Sequence, residues 1–296
     1  AVSAAISRPT HRPFTDFINF SNTFFTENVL FKSSTTIWKS SSNDFEFVYD
    51  SVPKVIYITP MTLTCIANND SSVIYETKGT FFPTLNTWVG EKGKVDWQRA
   101  GFKPNELYAS FGEYNIDLRK REFDVPSVSL SYPALFGSQT MFGSLEEKVL
   151  ANRRGDDALY PKFVSRGERF ELKNIFENIN YEGGLTLIGN RMMGSSDESG
   201  PAYVYLYHDN KLFIKFASNS YLIRQNSISS DRASISIYWE GDSIFHSGLP
   251  IKYLHDKKEV SAIREREGLS RAPYFNSYHQ LEMDFEAMYW KIDEPK

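Results

Sequence analysis

Apolar and polar residues alternate with a period of two in short runs, and turn residues punctuate those runs along most of the chain. In Ser234-Ile-Ser-Ile-Tyr-Trp239, residues Ile235, Ile237 and Trp239 fall on one face and Ser234, Ser236 and Tyr238 on the other. Only an extended strand with one covered face sorts side chains this way. Ser127-Val-Ser-Leu-Ser131 alternates likewise, and Leu281, Met283 and Phe285 face away from Glu282, Asp284 and Glu286. Further strand runs are read at 45–49, 73–75, 114–118, 184–188, 203–207 and 211–216. Turns fall at Asn68-Asn69-Asp70, Glu91-Lys-Gly93, Glu182-Gly-Gly184, His208-Asp-Asn210 and Glu240-Gly-Asp242. The helical pattern is sparse: 15–25 carries Phe17, Ile18, Phe24 and Phe25, and 144–150 has room for two turns. The polar, glycine-containing stretch 189–201 reads as an exposed loop. The fold class expected is all-β: two stacked β-sandwich-like modules, or alternatively an elongated β-solenoid segment.

Charge and cysteine use narrow the function classes. A net charge of -4 and a pI of about 5.8 leave no basic footprint for a phosphate backbone, so nucleic acid is not an expected partner. No apolar run reaches the length of a membrane-spanning helix, so no transmembrane segment is expected. The single cysteine, Cys65, excludes an intrachain disulfide and any cysteine cage for zinc. Within Met61-Thr-Leu-Thr-Cys-Ile-Ala67 it reads as a small buried hydrophobe. The start Ala1-Val-Ser-Ala-Ala-Ile6 lacks an initiator Met and a signal-peptide pattern, and reads as processed or excised.

Two stretches run in parallel, 45–93 and 213–268. Phe45-Glu-Phe47 and Phe213-Ile-Lys-Phe216 open them, and the strands Met61–Ile66 and Ala233–Trp239 follow. Asp-Ser turns come next at Asp70-Ser71 and Asp242-Ser243, and Arg-Ala pairs close the match at Arg99-Ala100 and Arg271-Ala272. Read as a duplication, the pattern divides the chain into an irregular or helical segment 1–40, a first β module 41–210 and a second module 211–296. The second module then reads as an incomplete repeat, and the chain as an excerpt of a longer array.

Three segments carry a likeness: Glu91-Lys-Gly-Lys-Val-Asp-Trp-Gln-Arg-Ala-Gly101, Glu240-Gly-Asp-Ser-Ile-Phe-His-Ser-Gly-Leu249 and Arg271-Ala-Pro-Tyr-Phe-Asn-Ser-Tyr-His-Gln280. With them the chain resembles very long, uncharacterised, β-rich extracytoplasmic proteins of Bacteroidetes-type bacteria. The resemblance implies a multi-unit protein in the periplasm or at the cell surface. It brings no known activity and no catalytic residues.

The candidate ligand-binding residues are Tyr203, Tyr205 and Tyr207, which share one face of a strand against Val204 and Leu206. A row of exposed rings with polar tips suits sugar stacking, although tyrosines also simply cover sheets. His246, His255 and Asp256 lack the spacing of a metal site and read as solvated turn residues; no metal and no cofactor are expected. His279 reads as half-buried beside Leu281. The turns around Asp70 and Asp242 are rich in oxygen ligands suited to calcium, but Asp and Asn there also cap their own backbone. Serine-hydrolase elbow, P-loop and dinucleotide fingerprints are absent, and 37 acidic residues make any carboxylate spacing uninformative. The expected function is a non-catalytic structural or interaction segment of a larger extracytoplasmic protein, with protein or glycan partners. The alternative is a carbohydrate-binding module, and a glycan-directed hydrolase ranks last.

Overall fold

The computed structural model describes residues 12–49, 52–151, 153–167, 169–239, 241–264 and 268–292. Strand makes up 63% of it and helix 8%, so the chain is all-β, and its strands pair antiparallel. Contact density divides it into two units, 1–163 with 188–190, and 164–187 with 191–296. The sequence-based boundary at 210/211 falls inside the second unit, in the turn between two paired strands.

The first unit opens with helix α1 (Arg12–Glu27), the element anticipated at 15–25. Its Phe20 and Phe24 pack on Phe81, and Phe24 also meets Phe45. Ten strands follow: β1 (Val29–Lys32), β2 (Thr36–Ser40), β3 (Phe45–Val48), β4 (Lys54–Ala67), β5 (Asp70–Phe82), β6 (Thr87–Asp96), β7 (Tyr108–Phe111), β8 (Tyr114–Asp117), β9 (Glu122–Ser131) and β10 (Thr140–Lys148). The organising element is the long hairpin β4–β5, of 14 and 13 residues. Asn68 and Asn69, both at positive φ, make its two-residue turn. Midway, Glu76 at φ 52 forms a bulge, and the buried positions of β5 change from 70, 72 and 74 to 77, 79 and 81. Each half of the bent hairpin therefore takes its own neighbour: β2 pairs with Leu63–Ala67 and β3 with Lys54–Tyr57. On the far side β6 pairs with β7 and β8, β7 with β9, and β9 with β10. The sheet curls, because Trp38 on β2 meets Phe123 on β9, and its Nε1 donates to the Lys120 carbonyl at 2.9 Å. The segment 144–150, expected as helix, instead gives its first residues to β10, since pairing with β9 overrides the helix-forming Leu145-Glu-Glu-Lys148.

The second unit contains β12 (Phe170–Phe176), β13 (Ile179–Ile188), β14 (Arg191–Ser195), β15 (Ala202–His208), β16 (Lys211–Ser218), β17 (Ser220–Arg224), β18 (Ser227–Trp239), β19 (Asp242–Leu254), β20 (Glu259–Ile263), β21 (Tyr274–Asn276), β22 (Leu281–Met283) and β23 (Ala287–Lys291), and β11 (Lys162–Ser165) straddles its start. Stretch 189–201 is not a plain loop: β14 runs through it and pairs with β17. The long hairpin here is β18–β19, 13 residues on each side with bulges at Ser230–Ile235. β16 pairs with its Ser234–Ile237 half and β17 with its Ser227–Ser229 half. By pairing, β16 stands to β18 as β2 stands to β4, and β17 as β3. The sequence match of Phe213–Phe216 with Phe45–Phe47 is thus one strand out of step with the topology. The other face is lined by β20 and β21 on β19, β23 on β20 and β22 on β21. Ring contacts Phe176–Tyr253 and Phe213–Trp290 close this core.

Candidate functional site

The first unit holds a cleft of about 290 Å³ that the sequence did not single out. One wall is the start of β5, with Ser71, Ser72 and Tyr75; another is the end of β6 and the 3-10 turn Gln98–Ala100 behind it. That turn is anchored by fully buried Trp97 and ends at Gly101, whose φ of 96 suits glycine. It directs Arg99 inward until its side chain is 9% exposed, against a Glu147 side chain at 2%. Arg99 Nη2 donates to Glu147 Oε1 and, at 2.8 Å, to the Lys148 carbonyl. The Lys148 N–H donates to the same carboxylate at 2.9 Å. Burial, which the guanidinium only partly opposes, pushes the Glu147 carboxyl up to about 7. Cys65 lies buried as expected, and burial lifts its thiol to about 12.

A second ion pair stands beside the first. Asp70, with its side chain 3% exposed, accepts at Oδ1 from the Ser71 N–H at 2.7 Å and from Arg154 Nε at 2.8 Å. The acidic turn thus caps backbone and binds an arginine. Among the described residues, four polar atoms around the cleft have no hydrogen-bond partner: Arg99 Nε and Nη1, Ser72 Oγ and Asp70 Oδ2. A neighbouring hollow of about 380 Å³ shares Tyr75, Asp96 and Gln98 and adds Lys94 and Asn105. Gln98 Nε2 donates to the Tyr75 hydroxyl at 3.2 Å and to Asp96.

Tyr203, Tyr205 and Tyr207 do share one half-buried face of β15, while Val204 and Leu206 are buried. The rings of Tyr203 and Tyr205 are 5.8 Å apart. Lys215 Nζ lies 4.1 Å from the Tyr203 centroid and the Arg169 guanidinium 5.1 Å from it. The Tyr205 hydroxyl donates to Glu182 Oε2 at 2.8 Å, and burial together with that carboxylate raises it far above its ordinary value. Arg169 in turn bonds Glu182 Oε1, Asp197 Oδ1 and the Pro201 carbonyl.

His255 and Asp256 lie in a turn as expected, whereas two other histidines differ from expectation. His246 is buried on β19, its Nε2 2.8 Å from the Ala272 carbonyl and its Nδ1 accepting from the Gly248 N–H. His279 is exposed in a turn, where its backbone N–H donates to Asn276 Oδ1. Among the described residues no group of three or more His, Cys, Asp or Glu is arranged to hold a metal ion, and no helix is long and apolar enough to cross a membrane. Comparison with protein-family models, with curated proteins and with solved structures gives no match.

Proposed function

We propose that the chain is a non-catalytic structural and interaction segment of a larger extracytoplasmic protein, built from two copies of one bent-hairpin unit. The spacing from Asp70 to Asp242 recurs from Phe82 to Leu254, the ends of β5 and β19, and from Thr87 to Glu259, the starts of β6 and β20. The extracytoplasmic location rests on the resemblance alone.

One contrast carries the interaction reading. In the first unit β9 covers β7, pairing Ser131 with Tyr108, Leu130 with Ala109 and Ser129 with Ser110. In the second unit the strands in the corresponding places are β22 and β23, and among the described residues no further strand pairs with either beyond β21 and β20. Leu281 is 56% and Tyr289 63% exposed there, beside exposed Phe275 and Tyr278. An open edge with apolar side chains is a template for an added strand. The occupant fitted to it is a strand of the β9 pattern from a protein partner.

The test is sedimentation of the whole chain with a fluorescent peptide of sequence Glu122–Ser131. Saturable capture of the peptide, lost in Tyr289→Lys, supports the reading. A chain that ignores the peptide at every concentration overturns it.

A further inference from the structure

We propose that the cleft beside Arg99 is a saccharide-binding site, taking a neutral, polyhydroxylated ring with a second sugar in the adjoining hollow. The inference concerns the first unit alone and stands independently of the open edge in the second.

Unpartnered buried donors line the cleft. A buried polar atom without a partner gives up its bonds to water for nothing, so a protein retains few of them without use. Here Arg99, nine-tenths buried, leaves Nε and Nη1 unbonded, and the buried Ser72 leaves Oγ unbonded, all on residues that line one cleft. These groups call for ligand oxygens that accept.

Charge selects which oxygens. Arg99 is already engaged by Glu147, and Arg154 by Asp70. Asp96 lines both hollows, and among the described residues no basic side chain pairs with it; its neighbour is the Gln98 amide. An oxyanion would meet that uncompensated carboxylate. A hydroxyl both accepts and donates, so one sugar ring accepts from Arg99 and Ser72 while donating to Asp96. The half-exposed Tyr75 ring, common to both hollows, adds an apolar face of the kind sugars stack on.

The second unit lacks this arrangement. Arg271, at the place of Arg99 by spacing, is exposed, and Asp242 is only half-buried. The site is a property of the first unit and not of the shared topology.

The experiment is an array of plant, fungal, bacterial and animal oligosaccharides probed with the whole chain, followed by calorimetry on the best binder. Three variants accompany it: Ser72→Ala, Gln98→Ala and, in the other unit, Tyr203→Ala. Ser72→Ala removes a hydroxyl that bonds nothing among the described residues, so the thermal melt is expected to be preserved while affinity falls about three- to tenfold. Gln98 is exposed, and Gln98→Ala is expected to lower affinity similarly; Tyr203→Ala leaves it unchanged. The proposal is overturned if no saccharide binds, if inorganic phosphate binds in its place, if the two cleft variants bind as tightly as the parent, or if Tyr203→Ala abolishes binding.

Discussion

Arg99 and Glu147 form an ion pair that is almost wholly removed from water, one on the turn after β6 and the other near the end of β10. Desolvating two charges costs several kcal/mol each, and their attraction offsets this only when further hydrogen bonds are made. Glu147 has the Lys148 N–H, and Arg99 the Lys148 carbonyl, but two Arg99 nitrogens stay unbonded. The pair joins the β6 turn to β10 at the wall of the cleft.

Glu147 gives that pair a pH dependence of unusual sign. Burial raises its carboxyl from 4.5 to about 7, so between those values the folded chain holds a proton that the unfolded chain releases. The stabilisation is complete below about 4.5 and is lost as pH rises through about 7, a change on the order of 3 kcal/mol. Melting temperatures from pH 5 to 8 check this. The parent is expected to soften towards pH 8 relative to Glu147→Gln, and parallel curves for the two would contradict it.

His246 works in the opposite direction. Its Nδ1 accepts the Gly248 N–H, so a second ring proton has no acceptor there, and burial, with the Arg264 charge adding to it, lowers its pKa from 6.5. Its contribution is present above 6.5 and is lost as pH falls through the lowered folded value. Nitrogen NMR of the imidazole is expected to show Nδ1 taking its proton only below the ordinary 6.5, and titration at or above that value would contradict it. Replacing His246 with Ala leaves the Ala272 carbonyl and Gly248 N–H without a side-chain partner, and a loss of about 1–3 kcal/mol is expected.

Strand alternation was legible where one face is wet. Val128 and Leu130 are buried between partly exposed serines, as are Ile235 and Ile237, because a half-covered sheet imposes its period on the sequence. Glycine misled at 189–201: Gly194 lies under the Tyr181 ring, where an added Cβ would come within 2.6 Å, so it marks close packing inside a strand and not a loop. His246 looked like a turn residue because the length of β19 depends on a hairpin partner that the local sequence does not reveal. The cleft was illegible for a similar reason. Asp70, Arg99 and the stretch that carries Glu147 and Arg154 lie far apart in the chain, and only the curl of the sheet brings them together.

Arg169 is the tie for the segment that follows β14. It bonds Asp197, Ser199 and the Pro201 carbonyl on one side and Glu182 on the other. Arg169→Ala is expected to lower stability by about 1–3 kcal/mol, since several charge-assisted bonds are lost. Hydrogen exchange is the sharper readout: amides at 197–200 should lose protection while those of β15 keep it. Equal loss across β15 would mean that Arg169 supports the whole sheet.

Gly90 and Tyr114 face each other across β6 and β8, and the tyrosine ring lies over the glycine. A Cβ at Gly90 would stand 2.1 Å from that ring, far inside contact distance. The ring has little freedom to yield, because its hydroxyl is held by Thr77 Oγ1 at 2.6 Å and by Trp88 Nε1 at 3.0 Å. Gly90→Ala is therefore expected to destabilise by about 1–3 kcal/mol through overpacking, and Tyr114→Ala by about 3–5 kcal/mol through the cavity left behind. The two losses should not add. With the ring gone the alanine methyl has space, so chemical denaturation of the double variant should give a loss about 1–2 kcal/mol smaller than the sum. Strict additivity would mean that the glycine is required by the backbone of β6 and not by the tyrosine above it.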